Sequence, residues 1–199
     1  MNVFTTMPLS GYRVLDLTNG KGFLCGRILA DLGADVIKIE KPGGDPERNV
    51  GPFYKEVSDP NRNLSWMFYN LNKRSIELDI ETEEGRNIFT RLVRQSHFII
   101  ESFVPGYLKK LGLGYEKLCE INPGIIYTSI TPYGSEGPYS KFKACDINCW
   151  GMGVMMSLCG DPDRAPVQIS YPQAFLHGSL HGAAASMIAH YHWVRTGQG

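Results

Sequence analysis

Tyr12-Arg13-Val14-Leu15-Asp16-Leu17, then Thr18-Asn19-Gly20-Lys21-Gly22, then Phe23 to Leu32 with Gly33 behind it, then Asp35-Val36-Ile37-Lys38-Ile39-Glu40: the order of these four segments decides the fold. The first is a short apolar run and reads as a buried strand. The second is a glycine-bearing turn, and the third a helix closed by its glycine. The fourth, apolar at Val36, Ile37 and Ile39, is a second strand. Strand, turn, helix, strand is a βαβ unit, which implies a parallel pair joined by a right-handed crossover.

The same alternation continues outward. Pro42 to Asn63 is rich in Pro, Gly, Asp and Asn and reads as a long loop of the kind that carries function. Ser75 to Asp79 is a third strand. Thr82 N-caps a helix that runs to Arg94, with Glu83 and Glu84 in its first turn. Phe98 to Glu101 is a strand, Leu108 to Leu111 and Tyr115 to Glu120 are short helices, and Ile125 to Ile130 is a further strand. The fold class expected is α/β, an open, doubly wound parallel sheet over about residues 9–132. Residues 133–199 form a connecting segment and a long helix: Gly134 to Lys143 is a polar loop, Trp150 to Cys159 is apolar and methionine-rich, and Ser179 to Val194 is a helix of small residues suited to close packing.

The bulk properties exclude several functions. The 199 residues carry a formal net charge of zero, which argues against nucleic-acid binding as the main task. No apolar run is long enough for a membrane span, and Met1 to Gly11 lacks the basic start and apolar core of a signal peptide, so a cytoplasmic location is expected. Five cysteines at scattered spacings fit reduced thiols. Cys145, Cys149 and Cys159 cluster without a CxxC pair or zinc-finger histidines, so no metal is expected.

The turn Thr18 to Gly22 is a candidate anion site, since a strand-to-helix turn presents N–H groups and a favourable dipole. A tight turn that simply needs glycine explains it as well. Lys41, Arg48, Lys73 and Arg74 fall at strand ends or in loops, where cations can meet phosphates, and Lys109 and Lys110 lie by a short helix. Solvated surface lysine is the competing explanation. Asp16, inside an apolar strand, needs a buried partner and reads as structural. His177 and His181 stand one helical turn apart without the glutamate of an HExxH motif, so packing or exposure accounts for them.

Several blocks in one order then resemble a single family. Leu9 to Leu17 is similar to the opening "L-x-G-x-R-V-L-D-L" of class III CoA-transferases, the carnitine- and bile-acid-inducible, formyl-CoA transferase-like type. Leu29 to Pro42 resembles its most specific motif, extended by Gly44-Asp45 and Arg48. Asn70 to Asp79, Glu101 to Gly106, Leu111-Gly112, Asn122-Pro123, Gly134 to Tyr139 and Arg195 to Gly199 follow in the family's order.

The resemblance implies a Rossmann-like open parallel sheet with helices on both faces, the N-terminal part of an interlocked-dimer fold whose C-terminal half lies beyond this sequence. It implies coenzyme A, or an acyl-CoA, as the bound molecule. By position, Thr18, Asn19, Gly20, Lys21, Lys41, Lys73, Phe103 and Lys110 are its CoA contacts. The family's histidine and Ala-Gly-Pro in the first turn are replaced here by Asn19-Gly20-Lys21-Gly22. The family's nucleophilic aspartate stands four residues before a glycine; here Ala174 stands four before Gly178. A methyl group cannot attack a thioester. The related racemases carry a histidine before Asp-Ile-Asn, where this chain has Cys145 before Asp146-Ile147-Asn148, and they too need the missing aspartate. The resemblance therefore implies a non-catalytic, CoA-binding subunit of an acyl-CoA:carboxylate CoA-transferase, partnered by a sister chain or a second copy, as in heteromeric transferases for aromatic succinates. The alternatives are a non-catalytic CoA-binding or scaffold protein, and an acyl-CoA enzyme with another nucleophile, Cys145, Cys149 or His177.

Overall fold

A computed structural model describes residues 7–199; of the segment read above as unlike a signal peptide, residues 1–6 lie outside the described residues. Five strands, β1 (Arg13–Leu17), β2 (Asp35–Glu40), β3 (Arg74–Glu77), β4 (Phe98–Glu101) and β5 (Ile126–Ser129), form one sheet in the order β3-β2-β1-β4-β5. All four pairings are parallel, with Asp16 opposite Lys38 and Leu17 opposite Glu101. The chain thus builds outward from β1 on one side, then returns to build on the other. The order reverses between β1 and β4, and the carboxyl ends of those strands bound the crevice in which such sheets hold ligands.

Successive strand residues point to opposite faces. Leu15, Leu17, Ile37, Ile39 and Ile99 pack in one buried cluster with Phe89 and Val93 of α3 (Glu83–Val93), Leu108 of α4 (Tyr107–Lys110) and Leu118 of α5 (Tyr115–Ile121). Val14, Val36, Phe98 and Ile100 pack in the other, with Cys25 and Leu29 of α1 (Phe23–Asp31) and Ala183 of α7 (Gln173–Thr196). Burial on both faces explains why the inner strands β1 and β4 read as apolar runs rather than alternating ones, whereas the edge strand β3 is mostly exposed. The expected doubly wound class, with helices on both faces, is what the chain adopts. The expected cap is present too: Thr82 Oγ1 accepts from the Gly85 N–H at 3.0 Å.

Three features differ from the expectation. A short helix, α2 (Leu64–Tyr69), closes the long loop, because Asn63 Oδ1 accepts from the Trp66 N–H at 2.7 Å while its amide donates to the carbonyls of Glu47, Arg48 and Val50. Another, α6 (Asp146–Met152), runs into the start of the methionine-rich stretch. Finally, α7 starts at Gln173 rather than Ser179, because Asp146 Oδ1 accepts from the Ala174 N–H at 2.8 Å and caps it from a distant part of the chain. The expected close packing by small residues holds: a Cβ on Gly182 would meet Ile130 Cδ1 at 2.8 Å.

Candidate functional site

The turn after β1 rests on a buried ion pair. Asp16 accepts from the Thr18 N–H (2.9 Å) and hydroxyl (2.6 Å), and its other oxygen lies 2.7 Å from Lys73 Nζ. Lys73 also donates to the Phe23 carbonyl at 2.8 Å and to Asn70 Oδ1 at 2.9 Å, which occupies its three protons. Burial pushes the Asp16 carboxyl up, but Lys73 and Lys38, with the two hydrogen-bonding side chains, outweigh it and hold it below the usual carboxylate range. Lys38, buried beside it, donates to the Thr18 carbonyl and stands 3.7 Å from Asp45. Helix α1 crosses this network at Gly26, where a Cβ would meet Asp16 Oδ2 at 2.3 Å and Lys73 Nζ at 3.0 Å.

The backbone of the turn is largely committed. Asn19 N–H donates to Ser102 Oγ at 2.8 Å, Lys21 N–H to Asn19 Oδ1 at 3.1 Å and Gly22 N–H to the Asn19 carbonyl at 2.8 Å. Among the described residues of the turn, Gly20 alone keeps an N–H without a protein acceptor. The nest of free donors that the glycine pattern suggests is therefore reduced to one.

Cavities lie on either side of this turn. One, of about 380 Å³, is bounded by Thr18, Lys38, Lys41, Ile80 and Phe103. The other, of about 330 Å³, is bounded by Lys21, Trp66, Tyr69, Tyr171 and Phe175. Asn19 and Glu47 border both. The Tyr69 and Tyr171 hydroxyls meet at 2.8 Å on the wall of the aromatic cavity. A smaller space of about 100 Å³ shares Lys21 and Phe175 with it, and also borders Cys149 and Ala174. These last two residues line a further cavity of about 220 Å³ with Trp150 and His177. A line of adjoining spaces thus runs from the carboxyl end of β2 to Ala174.

The loop over these cavities is anchored by Glu40. Its carboxylate takes Arg48 in a two-pronged pair, both at 2.7 Å, together with the Asp45 N–H at 2.8 Å and the Ser75 hydroxyl. Burial raises the Glu40 pKa, but those donors prevail and bring it down to about 2. The guanidinium of Arg48 lies 4.0 Å from the centre of the Trp66 ring, so one residue joins the end of β2 to α2.

At the far end, Ala174 presents a methyl group in the first turn of α7. Asp146 is buried, with Oδ1 on the Ala174 N–H and Oδ2 without a partner among the described residues. Burial, Asp146 and Cys145 together push the Cys149 thiol up, against the effect of Lys21. Cys149 is thus disfavoured as a thiolate.

The structure gathers Thr18, Asn19, Lys41 and Phe103 round the first cavity and Asn19, Gly20 and Lys21 round the second. Lys73 faces neither; its side chain is 1% exposed and holds Asp16. Lys110 is exposed on α4, away from both. His177 and His181 are exposed on α7. Ser102, Glu47, Trp66 and Tyr69 line or shape the site and went unread. Only Asn63 ahead of the apolar run Leu64 to Tyr69 offered a signal for any of them, as a helix start.

The family model that matches is CoA-transferase family III, over residues 9–199. The chain belongs to this family. Relatives within it include a succinate–glutarate CoA-transferase of Agrobacterium fabrum, 42% identical over 197 residues, covering 96% of this chain and 49% of that protein. Subunit BbsE of the succinyl-CoA:(R)-benzylsuccinate CoA-transferase of Thauera aromatica is 37% identical over 190 residues, covering 96% and 46%. Among solved structures, a CAIB/BAIF family protein from Brucella suis matches with a TM-score of 0.90 and 42% identity, covering 98% of this chain and 52% of that one. The chain spans about half the length of the curated relatives it matches. Among the described residues no helix is long and apolar enough to cross a membrane, and no three His, Cys, Asp or Glu side chains are grouped to hold a metal ion.

Proposed function

We propose that this chain is a CoA-binding subunit of an acyl-CoA:carboxylate CoA-transferase that takes no covalent part in the reaction. The observation that carries this is Ala174. It stands at the start of α7, at the end of the line of cavities, where the family's chemistry requires a carboxylate. In that chemistry a carboxylate attacks the thioester carbonyl, CoA leaves as thiolate, and the thiolate then attacks the enzyme's own carbonyl of the resulting anhydride, which gives an enzyme thioester and releases the donor acid as its carboxylate. Here the attacking group falls to a partner chain. Thr18, Asn19, Lys41 and Phe103 surround the nucleotide end, where apolar walls at Ile39, Leu78 and Ile80 suit the adenine and Lys41 the phosphates. The acyl end passes the turn towards Phe175 and Lys21, where an aromatic cavity suits a bulky acyl group and an ammonium suits a second carboxylate. Similarity to a protein named as a subunit of a benzylsuccinate transferase supports both the partnered arrangement and an aromatic dicarboxylate.

Titration of the chain with CoA at rising salt tests the binding, with Lys41→Ala weakening it severalfold. Exposure to acyl-CoA followed by mass spectrometry, with and without an aspartate-bearing sister chain, tests the division of labour. The adduct is expected on the sister chain alone. An adduct on this chain, at Cys149 for instance, overturns the proposal.

A further inference from the structure

Glu47 occupies the boundary between the two large cavities. Its backbone is fixed on both sides: its N–H donates to Asp45 Oδ1 at 2.9 Å, and its carbonyl accepts from Asn63 Nδ2 at 2.8 Å. Its carboxylate leans over the turn, where a Cβ on Gly20 would meet Oε1 at 2.9 Å and the carboxyl carbon at 3.1 Å. Among the described residues no side chain or N–H donates to that carboxylate. Partial burial and the nearby Asp45 both push its pKa up, consistent with a carboxylate held without a cation. Lys21 and Lys38 border the two cavities, but neither pairs with it. The residue is exposed to solvent and its carboxylate has no protein donor among the described residues, so a ligand N–H can reach it in place of water.

We infer that Glu47 is a positioning residue for the arm of CoA, accepting a hydrogen bond from an amide N–H of the pantetheine as the arm crosses the Asn19–Gly20 turn. This rests on the CoA-binding reading above. An extended CoA with its nucleotide in the first cavity and its acyl end in the aromatic one must pass this point, since Asn19 and Glu47 border both cavities. The arm carries two amide N–H groups there and no charge. A polyphosphate at the same place would meet the carboxylate directly, so the same residue holds the pyrophosphate to its own side of the turn.

The test compares CoA with adenosine 3′,5′-bisphosphate, which has the nucleotide end without the arm, by calorimetric titration of the full chain. Glu47→Ala is expected to weaken CoA roughly tenfold, the scale of one hydrogen bond to a charged group, and to leave the bisphosphate unchanged or tighter. Glu47→Gln keeps an acceptor oxygen and is expected to stay within about threefold of the wild type for CoA. Equal loss for both ligands in Glu47→Ala, no loss for either, or a Gln variant as weak as Ala overturns the assignment while leaving CoA binding standing. A wild-type chain that binds neither ligand removes the CoA reading and this inference together.

Discussion

Ser102 and Asn19 exchange two hydrogen bonds across the point where the strand order reverses. The Asn19 N–H donates to Ser102 Oγ at 2.8 Å, and that hydroxyl donates in turn to Asn19 Oδ1 at 2.9 Å. The pair ties the carboxyl end of β1 to that of β4, and so sets the shape of the turn on which both cavities open. Ser102→Ala leaves the partly buried Asn19 N–H without its acceptor and Asn19 Oδ1 with the Lys21 N–H alone. We expect about 1–2 kcal/mol of stability lost, and a further loss of CoA affinity because the turn is no longer held. Urea denaturation and CoA titration of the same variant measure the two effects separately. Unchanged stability would show the pair to be incidental.

Lys73 is buried against Asp16 and faces neither large cavity. Lys73→Ala leaves the Asp16 carboxylate buried beside Lys38 alone, and is expected to cost about 3–5 kcal/mol. The change is expected in the midpoint of denaturation. In whatever fraction stays folded, CoA affinity should remain within a few-fold of the wild type. A folded variant with normal stability and abolished binding would put Lys73 back among the ligand contacts.

Acid should release the loop over the cavities. Glu40 ionises at about 2 in the folded chain, against roughly 4.3 when unfolded. Its contribution to stability is therefore complete above the unfolded value and is lost as pH falls towards 2. Asp16, lowered by Lys73 and Lys38, acts in the same sense. Denaturation midpoints between pH 7 and 3 should fall for the wild type and fall less steeply for Glu40→Gln. Parallel slopes would mean that the Arg48 pair adds nothing to folding.

The cysteines should separate cleanly by reactivity. Burial, then Asp16, raises the Cys25 thiol to about 12, and its side chain is fully enclosed. Cys145 is exposed. Maleimide at neutral pH is expected to modify Cys145 first and Cys25 only on unfolding. Labelling of Cys25 at the rate of Cys145 in native protein would contradict the packing of α1 against α7.

What the sequence made legible was local. The first βαβ unit could be read because the apolar runs, Gly33 and the turn lie within thirty residues of one another, and Asp16 in an apolar strand announced that it needed a partner. The identity of that partner was hidden, since Lys73 lies fifty-seven positions away. Lysines at strand ends look alike in sequence whether they turn inward, as Lys73 does, or outward to Glu81, as Lys41 does. The early start of α7 was equally out of reach, because its cap is supplied by Asp146, twenty-eight positions before Ala174. Position 174 itself stands out only through the resemblance, which implies an aspartate four residues before Gly178, whereas the cavities beside it come from elements that meet only in the folded chain.

Trp66 makes the aromatic cavity optically addressable. Its indole lines that cavity, Trp150 lines the space beside Ala174, and Trp193 packs with Tyr12 and His190. The chain's three tryptophans are thus one midway along the line of cavities, one at its far end beside Ala174, and one outside it. A molecule threading from the turn towards α7 would change the emission of Trp66, then of Trp150, and leave Trp193 as the internal standard, so occupancy can be followed in unlabelled protein as the path fills.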